Sequence, residues 1–398
     1  MSEHLQSLTV SNYRCLADVH LTPRSVNVFF GPNGAGKSTL LDVVGFVRDC
    51  LTDGVDRAAS RRGQGTGILW SGAKSGAPLS IAISTSEVEY TLAFQRSAGG
   101  VGPYAGESLV AKRGGHTLIK RSVGTEKAAF LRHGAKRARN VELREPEKLS
   151  FESFLAFDPQ CQEAVELAGM LRRVQYFPAR SLQLDALRTR GSESTHHVRL
   201  LEDCGNLWSV LRNLADKKEV DDRFDTIMGL MRKAFPTFDK IVLELITPSV
   251  VYAEFYDALL GSAALQASGI SDGHLQMLSL LTALFSEGRE RGATILFDEP
   301  DLSLHPYAIA VFAEAVQMAA EKWERQIFIA THSPVLVSQF ATEDLFAVSR
   351  TDGGRTALAR VSEMHDIADL LERYATGSLY MAELLAPQSN LADEEENP

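Results

Sequence analysis

The stretch GPNGAGKST at residues 31–39 constrains the fold more strongly than any other part of the sequence. It fits the pattern G-x-x-x-x-G-K-[ST], a loop between a strand and a helix that wraps a polyphosphate with its backbone amides. An apolar run at 26–30 and a helix-like run at 40–47 flank it, as this context requires. We therefore expect a nucleotide site built from Asn33, Gly34, Ala35, Gly36, Lys37, Ser38 and Thr39.

The expected ligands of this loop are ATP and Mg²⁺. Lys37 would reach the β- and γ-phosphates, and the Ser38 hydroxyl would bind Mg²⁺. The apolar run ATILF at 293–297 ends in Asp298 and Glu299 and predicts the second half of the site. A strand that is apolar on both faces is typical of the middle of a parallel sheet, and such sheets bind ligands at the carboxyl ends of their strands. Asp298 would hold Mg²⁺ through water, and Glu299 would polarise the attacking water.

Two further motifs are typical of phosphate contacts. His332 follows an apolar run at 327–330, and its imidazole can hydrogen-bond a γ-phosphate. Ser271 and Gly273 precede a helix-like run at 275–285 and would form a second anion site at a helix N-terminus. One active site does not need two such helix ends, whereas two chains packed head to tail do, each lending this end to the other's nucleotide. We therefore expect an ATP-dependent homodimer.

The charge of the chain limits the kinds of partner that it can bind. A formal net charge of −10 over 398 residues argues against a surface that is coated with nucleic acid. Residues 112–148, here called the basic segment, nevertheless hold eleven basic residues and four acidic ones. This segment is a DNA-contact surface or a solvated arm, and the sequence leaves both open. No apolar run reaches the roughly 18 residues that span a bilayer, so we expect a cytoplasmic protein with no membrane part.

The order of the motifs resembles the ABC-type ATPase heads of the RecF, SMC and OLD group. That order is the phosphate loop, the Ser-x-Gly helix, Asp-Glu-Pro, Asp-x-x-x-His-Pro and Thr-His-Ser-Pro. The chain most resembles the bacterial AAA family ATPases that occur alone or in phage-defence operons, strongly over 1–50 and 265–340. The resemblance implies an α/β P-loop NTPase with a mostly parallel central sheet, an antiparallel β portion near the N-terminus and an inserted arm or lid.

The resemblance also assigns roles to single residues. Residues 31–39 look like Walker A, Asp298 and Glu299 like Walker B and its catalytic glutamate, and His332 like the switch histidine. Asp301 looks like the D-loop aspartate, and the signature motif SDGH at 271–274 departs from the commoner glycine and glutamine at positions 272 and 274. Arg14, within the Asn-Tyr-Arg element at 12–14, could touch the nucleotide or be a surface arginine. A Q-loop glutamine is not securely placed, and Gln95 is one candidate.

We predict an ATPase core formed by residues 1–55 and 240–398, with an inserted β/helical arm or lid at 56–239. Within the arm, 151–175 looks helical and ends at Tyr176-Phe177-Pro178. The residues from 335 onward are too few for the Toprim nuclease that OLD proteins add. Any effector or nuclease that acts with this chain would therefore be a separate chain.

The predicted function is an ATP-hydrolysing, dimerising switch in DNA-related processes or phage defence. Two alternatives stay open: the ATPase subunit of a membrane transporter, and a nucleotide-sensing module with little turnover. The long interval between Lys37 and Ser271 and the form DEP-x-x-x-LHP disfavour the first, and the presence of both Asp298 and Glu299 disfavours the second.

Overall fold

The computed structural model of the protein describes residues 4–63, 66–74, 76–97, 100–102, 104–197, 199–261, 263–287, 292–351, 353–364, 376–381 and 385. Its strands are β1 (Ser7–Tyr13), β2 (Leu16–Leu21), β3 (Val26–Phe30), β4 (Leu79–Ser84), β5 (Val88–Phe94), β6 (Arg96–Ser97), β7 (Gly100–Val101), β8 (Gly106–Ala111), β9 (Thr117–Arg121), β10 (Lys127–Phe130), β11 (Arg139–Glu142), β12 (Gln175–Pro178), β13 (Ser192–Glu193), β14 (Phe238–Thr247), β15 (Val250–Asp257), β16 (Ala264–Gln266), β17 (Ala293–Asp298), β18 (Arg325–Thr331), β19 (Leu345–Arg350) and β20 (Thr356–Arg360). Its helices are α1 (Lys37–Thr52), α2 (Val55–Ser60), α3 (Ser150–Phe157), α4 (Gln162–Arg172), α5 (Leu184–Thr189), α6 (Leu207–Ala215), α7 (Arg223–Ala234), α8 (Asp272–Phe285), α9 (Pro306–Lys322), α10 (Pro334–Val337) and α11 (Thr376–Met381).

An antiparallel sheet joins the N-terminal hairpin to the strands between residues 79 and 142. Its strand order is β11-β10-β9-β8-β5-β4-β1-β2. Burial alternates along β5, as expected for a sheet that packs one face against a core. The predicted division after residue 55 does not fall at a break in this sheet, because β1 pairs directly with β4 from the predicted arm.

A second sheet carries the expected nucleotide site at the carboxyl ends of its strands. Its order is β12-β17-β18-β3-β19-β20, and all neighbours pair in parallel except β19 and β20. The strands β3 and β18 are buried along their whole length because both faces are covered. Val28 and Phe30 share one core with α8 and α9, and Phe29 shares another with α1. The predicted α/β class, with a mostly parallel central sheet, is confirmed.

The region 151–175 is helical as predicted, but it is divided into two helices, and the strand β12 that follows them was not predicted. That region forms two helices, α3 and α4, and the chain then enters the parallel sheet beside β17. A four-residue strand at a sheet edge is too short for its periodicity to be recognised, because its pairing partner lies more than a hundred residues away. A short helix, α2, follows α1 directly.

The remaining elements surround the parallel sheet. A small sheet of order β13-β15-β14, with β16 also paired to β15, leads the chain into α8. The helix α11 lies against the phosphate loop: its Tyr380 hydroxyl donates to the carbonyl oxygen of Gly31 at 3.1 Å, and its ring meets Phe30 edge-on. In the described residues, no helix combines the length and apolar character that a membrane crossing needs.

Candidate functional site

The phosphate loop follows β3, and α1 begins at Lys37. Gly36, which precedes that helix, has φ +113, and a Cβ there would lie 2.3 Å from the Thr356 hydroxyl. Gly31 has φ +151, and a Cβ there would lie 1.9 Å from the carbonyl oxygen of Val348. Only glycine fits both positions, since each combines a left-handed backbone with a close neighbour. The loop is thereby held between α1 and the hairpin of β19 and β20.

The Lys37 ammonium lies folded into this loop. Its Nζ donates to the carbonyl oxygens of Gly31 and Pro32, each at 2.9 Å, and lies 3.3 Å from Nδ1 of His332. Burial lowers the pKa of Lys37 to about 8, although the carboxylates of Glu299 and Asp298 oppose this shift. The cation is therefore poorly solvated and would gain from a polyanion beside it.

Asp298 ends β17 with both carboxylate oxygens engaged. The Ser38 hydroxyl donates to Oδ1 at 2.8 Å, and the Tyr176 hydroxyl of β12 donates to Oδ2 at 2.9 Å. Burial, together with the charge of Asp298, raises the pKa of Tyr176, so this phenol stays protonated as a donor. A hydroxyl and a carboxylate that lie side by side in one cleft supply the oxygen ligands that suit Mg²⁺. The residues present therefore fit the predicted ion.

Glu299 and His332 face each other at the ends of β17 and β18. Their Oε1 and Nε2 atoms are 3.1 Å apart. Glu299 has φ +57, a conformation rare outside glycine, and its N–H donates to Ala330 at 2.8 Å. Burial first, and then the charge of Lys37, lower the pKa of His332. A neutral imidazole can donate from Nε2 to Glu299 and accept from Lys37 at Nδ1, an assignment that follows from these partners.

These side chains line one cleft of about 350 Å³. The lining comprises Cys15, Asn33, Gly34, Gly36, Lys37, Ser38, Thr39, Pro178, Ala179, Arg180, Asp298, Glu299 and His332. The motifs predicted from distant parts of the sequence thus meet at the carboxyl ends of adjacent parallel strands. Ala35, in the same loop, is buried and is not among the described lining residues, and its carbonyl oxygen accepts from the Thr356 hydroxyl at 2.8 Å. The arrangement combines cations for phosphates with a carboxylate that can polarise water.

Comparisons with known proteins agree with this geometry. A family model described as "AAA domain" matches residues 7–185, and one described as "AAA domain, putative AbiEii toxin, Type IV TA system" matches residues 195–338. The chain is a P-loop ATPase, and AAA-domain models match both halves of its sequence. The predicted ATPase is confirmed, with ATP as its substrate. The predicted resemblance to the group that includes SMC heads is confirmed in the fold. No curated protein sequence matches the ATPase at a significant level.

Solved SMC head domains share the fold of the ATPase. An SMC head with an extended coiled coil, bound to the C-terminal domain of ScpA derived from Pyrococcus furiosus, aligns with a TM-score of 0.51 and 13% identity over 93% of this chain and 100% of that one. The SMC head domain from Thermotoga maritima is similar at a TM-score of 0.48 and 13% identity, covering 90% of this chain and 99% of that one. At such low identity the likeness concerns the fold alone.

Ser271 and Gly273 of the ATPase lie at the start of α8, apart from the described residues that line the cleft. Ser271 caps the helix: its Oγ accepts from the N–H of His274 at 3.4 Å and lies 2.7 Å from Nδ1 of that ring. The ring stacks on Phe235 with centroids 3.8 Å apart. A Cβ on Gly273 would lie 2.8 Å from the carbonyl oxygen of Ser303, so the helix end packs closely on the loop after β17.

Two predicted nucleotide contacts have other partners in the ATPase. Arg14 pairs with Asp42 of α1 at 3.0 Å and does not belong to the described lining of the cleft, so this geometry does not favour a contact with nucleotide. Asp301 accepts from the Thr331 hydroxyl at 2.5 Å, and burial raises the pKa of its carboxyl group. This bond ties the loop after β17 to the end of β18.

The strand β12 brings residues that sequence reasoning missed. Tyr176 holds Asp298, and Arg180 lines the cleft. The candidate Gln95 lies elsewhere, where its carbonyl oxygen accepts from the N–H of Gly102 in the antiparallel part, and it is not among the described residues that line the cleft. The only sequence signal was the β-forming pair Tyr176-Phe177, which the prediction used as a helix terminator.

Proposed function

We propose that this ATPase is a switch that dimerises around two ATP molecules and separates when they are hydrolysed. The observation that carries the proposal is the separation of its two predicted anion sites. The cleft holds Lys37, Ser38, Asp298, Glu299 and His332, whereas the α8 end lies outside it. A second chain in a head-to-tail arrangement would bring its own α8 end to the open side of the cleft. The fold shared with SMC heads supports this arrangement.

The chemistry we propose follows from the contacts in the cleft. Backbone amides of residues 33–39 would wrap the phosphates, and Lys37 would exchange its carbonyl partners for phosphate oxygens. Ser38 and Asp298 would hold Mg²⁺, which neutralises charge on the transferred group when it is bound. Glu299 would orient and polarise the attacking water, with His332 fixing its carboxylate at the observed 3.1 Å. Ser271 and Gly273 of the second chain would contact the γ-phosphate, and Asp301 would line the interface.

The variant Glu299→Gln tests the switch. It removes the group that polarises water but keeps the size of the side chain, so ATP should still bind and the dimer should persist. We expect the variant to elute as a dimer with ATP and Mg²⁺ in size-exclusion chromatography with light scattering, and as a monomer without them. A monomer at saturating ATP would contradict the proposal.

A matched double variant separates the role of the partner chain from that of the cleft. Adding Ser271→Arg to Glu299→Gln places a bulky side chain on the α8 end and leaves the cleft intact. ATP binding measured by calorimetry should therefore persist while the dimer is lost. A double variant that still dimerises would exclude the α8 end from the interface.

We also propose that the basic segment contacts DNA. Arg121 is buried against Glu107 and is unavailable, but the segment's other basic residues are exposed. Between β10 and β11 these include Arg132, Lys136, Arg137 and, at the start of β11, Arg139. Phosphate contacts release counterions, so binding to duplex DNA should weaken steeply with salt and be lost when these four residues become Ala. Unchanged affinity in that variant would exclude this surface.

The proposal extends to the biological setting of the switch. A cytoplasmic role in DNA-related processes or phage defence, with a separate effector or nuclease chain, agrees with a family description that names a type IV toxin–antitoxin system. SMC heads in two solved structures are bound to ScpA, which sets a precedent for a partner on such a head. Affinity purification of the Glu299→Gln protein from its own cells, with and without ATP, would identify such a chain. Recovery of the ATPase alone under both conditions would count against it.

A further inference from the structure

Arg180 is a charged residue that lines the cleft but belongs neither to the phosphate loop nor to the Walker B strand. It follows β12, whose register with β17 places Pro178 beside Asp298. The next two residues, Ala179 and Arg180, therefore lie beside Glu299 at the same edge of the sheet, and both line the cleft.

The contact that Arg180 makes is weak and exchangeable. Its Nη2 lies 3.9 Å from Oε2 of Glu299, on the carboxylate oxygen that His332 does not face. The side chain is 80% exposed, and within the described part of the chain this ion pair is the one polar contact of the guanidinium. An exposed ion pair at this distance contributes little, so the guanidinium can leave Glu299 at small cost.

The backbone that carries Arg180 is held on both sides. Before it, the Tyr176 hydroxyl ties β12 to Asp298, and after it the N–H of Gln183 donates to the carbonyl oxygen of Asp203 at 2.8 Å. Residues 179–181 form a single 3₁₀ turn between these anchors. Any rearrangement of Arg180 is therefore a rotation of its long side chain within the cleft.

The charge balance of the cleft favours such a rotation. Among its described lining residues, Lys37, Arg180 and His332 have basic side chains, and Asp298 and Glu299 have acidic ones. A triphosphate would add several negative charges next to Glu299. The planar guanidinium can bond two phosphate oxygens at once, which is stronger than its single long contact with a carboxylate.

We propose that Arg180 recognises the γ-phosphate of ATP from within the same chain, exchanging its contact with Glu299 for phosphate oxygens. This proposal rests on the proposed use of Glu299 at the γ-phosphate end of the site. It makes Arg180 a residue that distinguishes ATP from ADP, because ADP ends before the position that Glu299 marks. It also frees one oxygen of Glu299 when the triphosphate is present.

The test compares the affinities of a non-hydrolysable ATP analogue, AMP-PNP, and of ADP in calorimetric titrations. Arg180→Gln should weaken AMP-PNP binding about tenfold and ADP binding less than about twofold, since one charge-assisted contact is lost from the γ-phosphate alone. Arg180→Lys should fall between wild type and Arg180→Gln, because it keeps the charge but not the two-point geometry. The matched control is Arg190→Gln, an equal charge change at an exposed position outside the described lining of the cleft.

Each outcome bears on the proposal. An unchanged AMP-PNP affinity in Arg180→Gln would overturn it, and so would an equal loss for AMP-PNP and ADP, which would indicate a general distortion of the site. A similar loss in Arg190→Gln would reduce the effect to overall charge and would also overturn it. All titrated proteins, the reference and the control included, also carry Ser271→Arg, which blocks the proposed dimer and leaves the cleft intact, so the affinities do not depend on dimerisation. A wild-type protein that binds AMP-PNP but never dimerises would therefore refute the switch and leave the Arg180 result intact.

Discussion

The depressed pKa of Lys37 predicts a pH dependence of nucleotide affinity that is unusual for a lysine-based phosphate site. An ordinary lysine, with a pKa near 10.4, is charged throughout the range from pH 7 to pH 9. Burial lowers the pKa of Lys37 to about 8, so about nine-tenths of the side chains are charged at pH 7 and about one-tenth at pH 9. In the complex the phosphates would favour the charged form and raise this pKa again.

The sign and size of the effect follow from linkage. Above pH 8 the protein must take up a proton to bind, so affinity falls as pH rises. Between pH 7 and pH 9 the dissociation constant of AMP-PNP should increase about tenfold, the ratio of the two charged fractions at a pKa of about 8. Below pH 7 the affinity should no longer depend on this group.

Calorimetric titration in two buffers with different heats of ionisation measures both quantities at once. We expect an uptake of about 0.1 proton per nucleotide at pH 7 and about 0.9 at pH 9, from the same pKa of about 8. Lys37→Arg is the control because its guanidinium stays charged, so its affinity, whatever its value, should not change across this range. A flat profile with no proton uptake in the wild type would refute the assigned pKa and its cause.

Two further predictions concern ion pairs. Arg188 donates to the carbonyl oxygen of Ile270 and to the Asp272 carboxylate at the α8 end. In the Glu299→Gln background, Arg188→Gln should leave the charge of Asp272 unneutralised beside an incoming phosphate and so weaken the ATP-dependent dimer. Adding Asp272→Asn should restore the dimer in light scattering, and a protein that dimerises no better after this addition would disprove the reasoning. Arg121 and Glu107 are fully buried 3.4 Å apart, so Arg121→Met should lower the free energy of unfolding in urea by about 3–5 kcal/mol at pH 8. Burial already raises the pKa of Glu107, so the stabilising contribution of this carboxyl group is present at low pH and lost as pH rises. The decrease in unfolding free energy caused by Arg121→Met should therefore be smaller at pH 5 than at pH 8. Equal decreases at both pH values would contradict this account.

The parts of the site that could be predicted are those with a local signature. The strand Val26–Phe30, the loop after it and the helix from Lys37 follow one another without a break, and the apolar run at 293–297 forms the expected strand, which ends at Asp298. Continuous runs of this kind carry their own periodicity and glycine pattern, which is why the fold class was predicted. The catalytic and binding roles of these residues remain predictions that the variants above test.

The edge strand Gln175–Pro178 shows why the rest could not be predicted. It has too few residues for a pattern, and it is a strand only because β17 offers a partner. Missing it meant missing the hydrogen bond from Tyr176 to Asp298 and the position of Arg180 beside Glu299. The same holds for Arg14, whose partner on α1 cannot be read from its own surroundings.

The sequence by itself determined the phosphate loop, because glycines at positive φ and a lysine at fixed spacing specify a conformation within nine residues. Only the tertiary structure decided what surrounds that loop. The Lys37 ammonium meets His332 across 295 residues of chain, and the Ala35 carbonyl meets the Thr356 hydroxyl across 321. Such contacts exist because parallel strands end at one edge of a sheet, and the order of those strands is a property of the whole core. Adjacent residues in the sequence specify the loop, whereas the side chains that contact it come from distant parts of the chain.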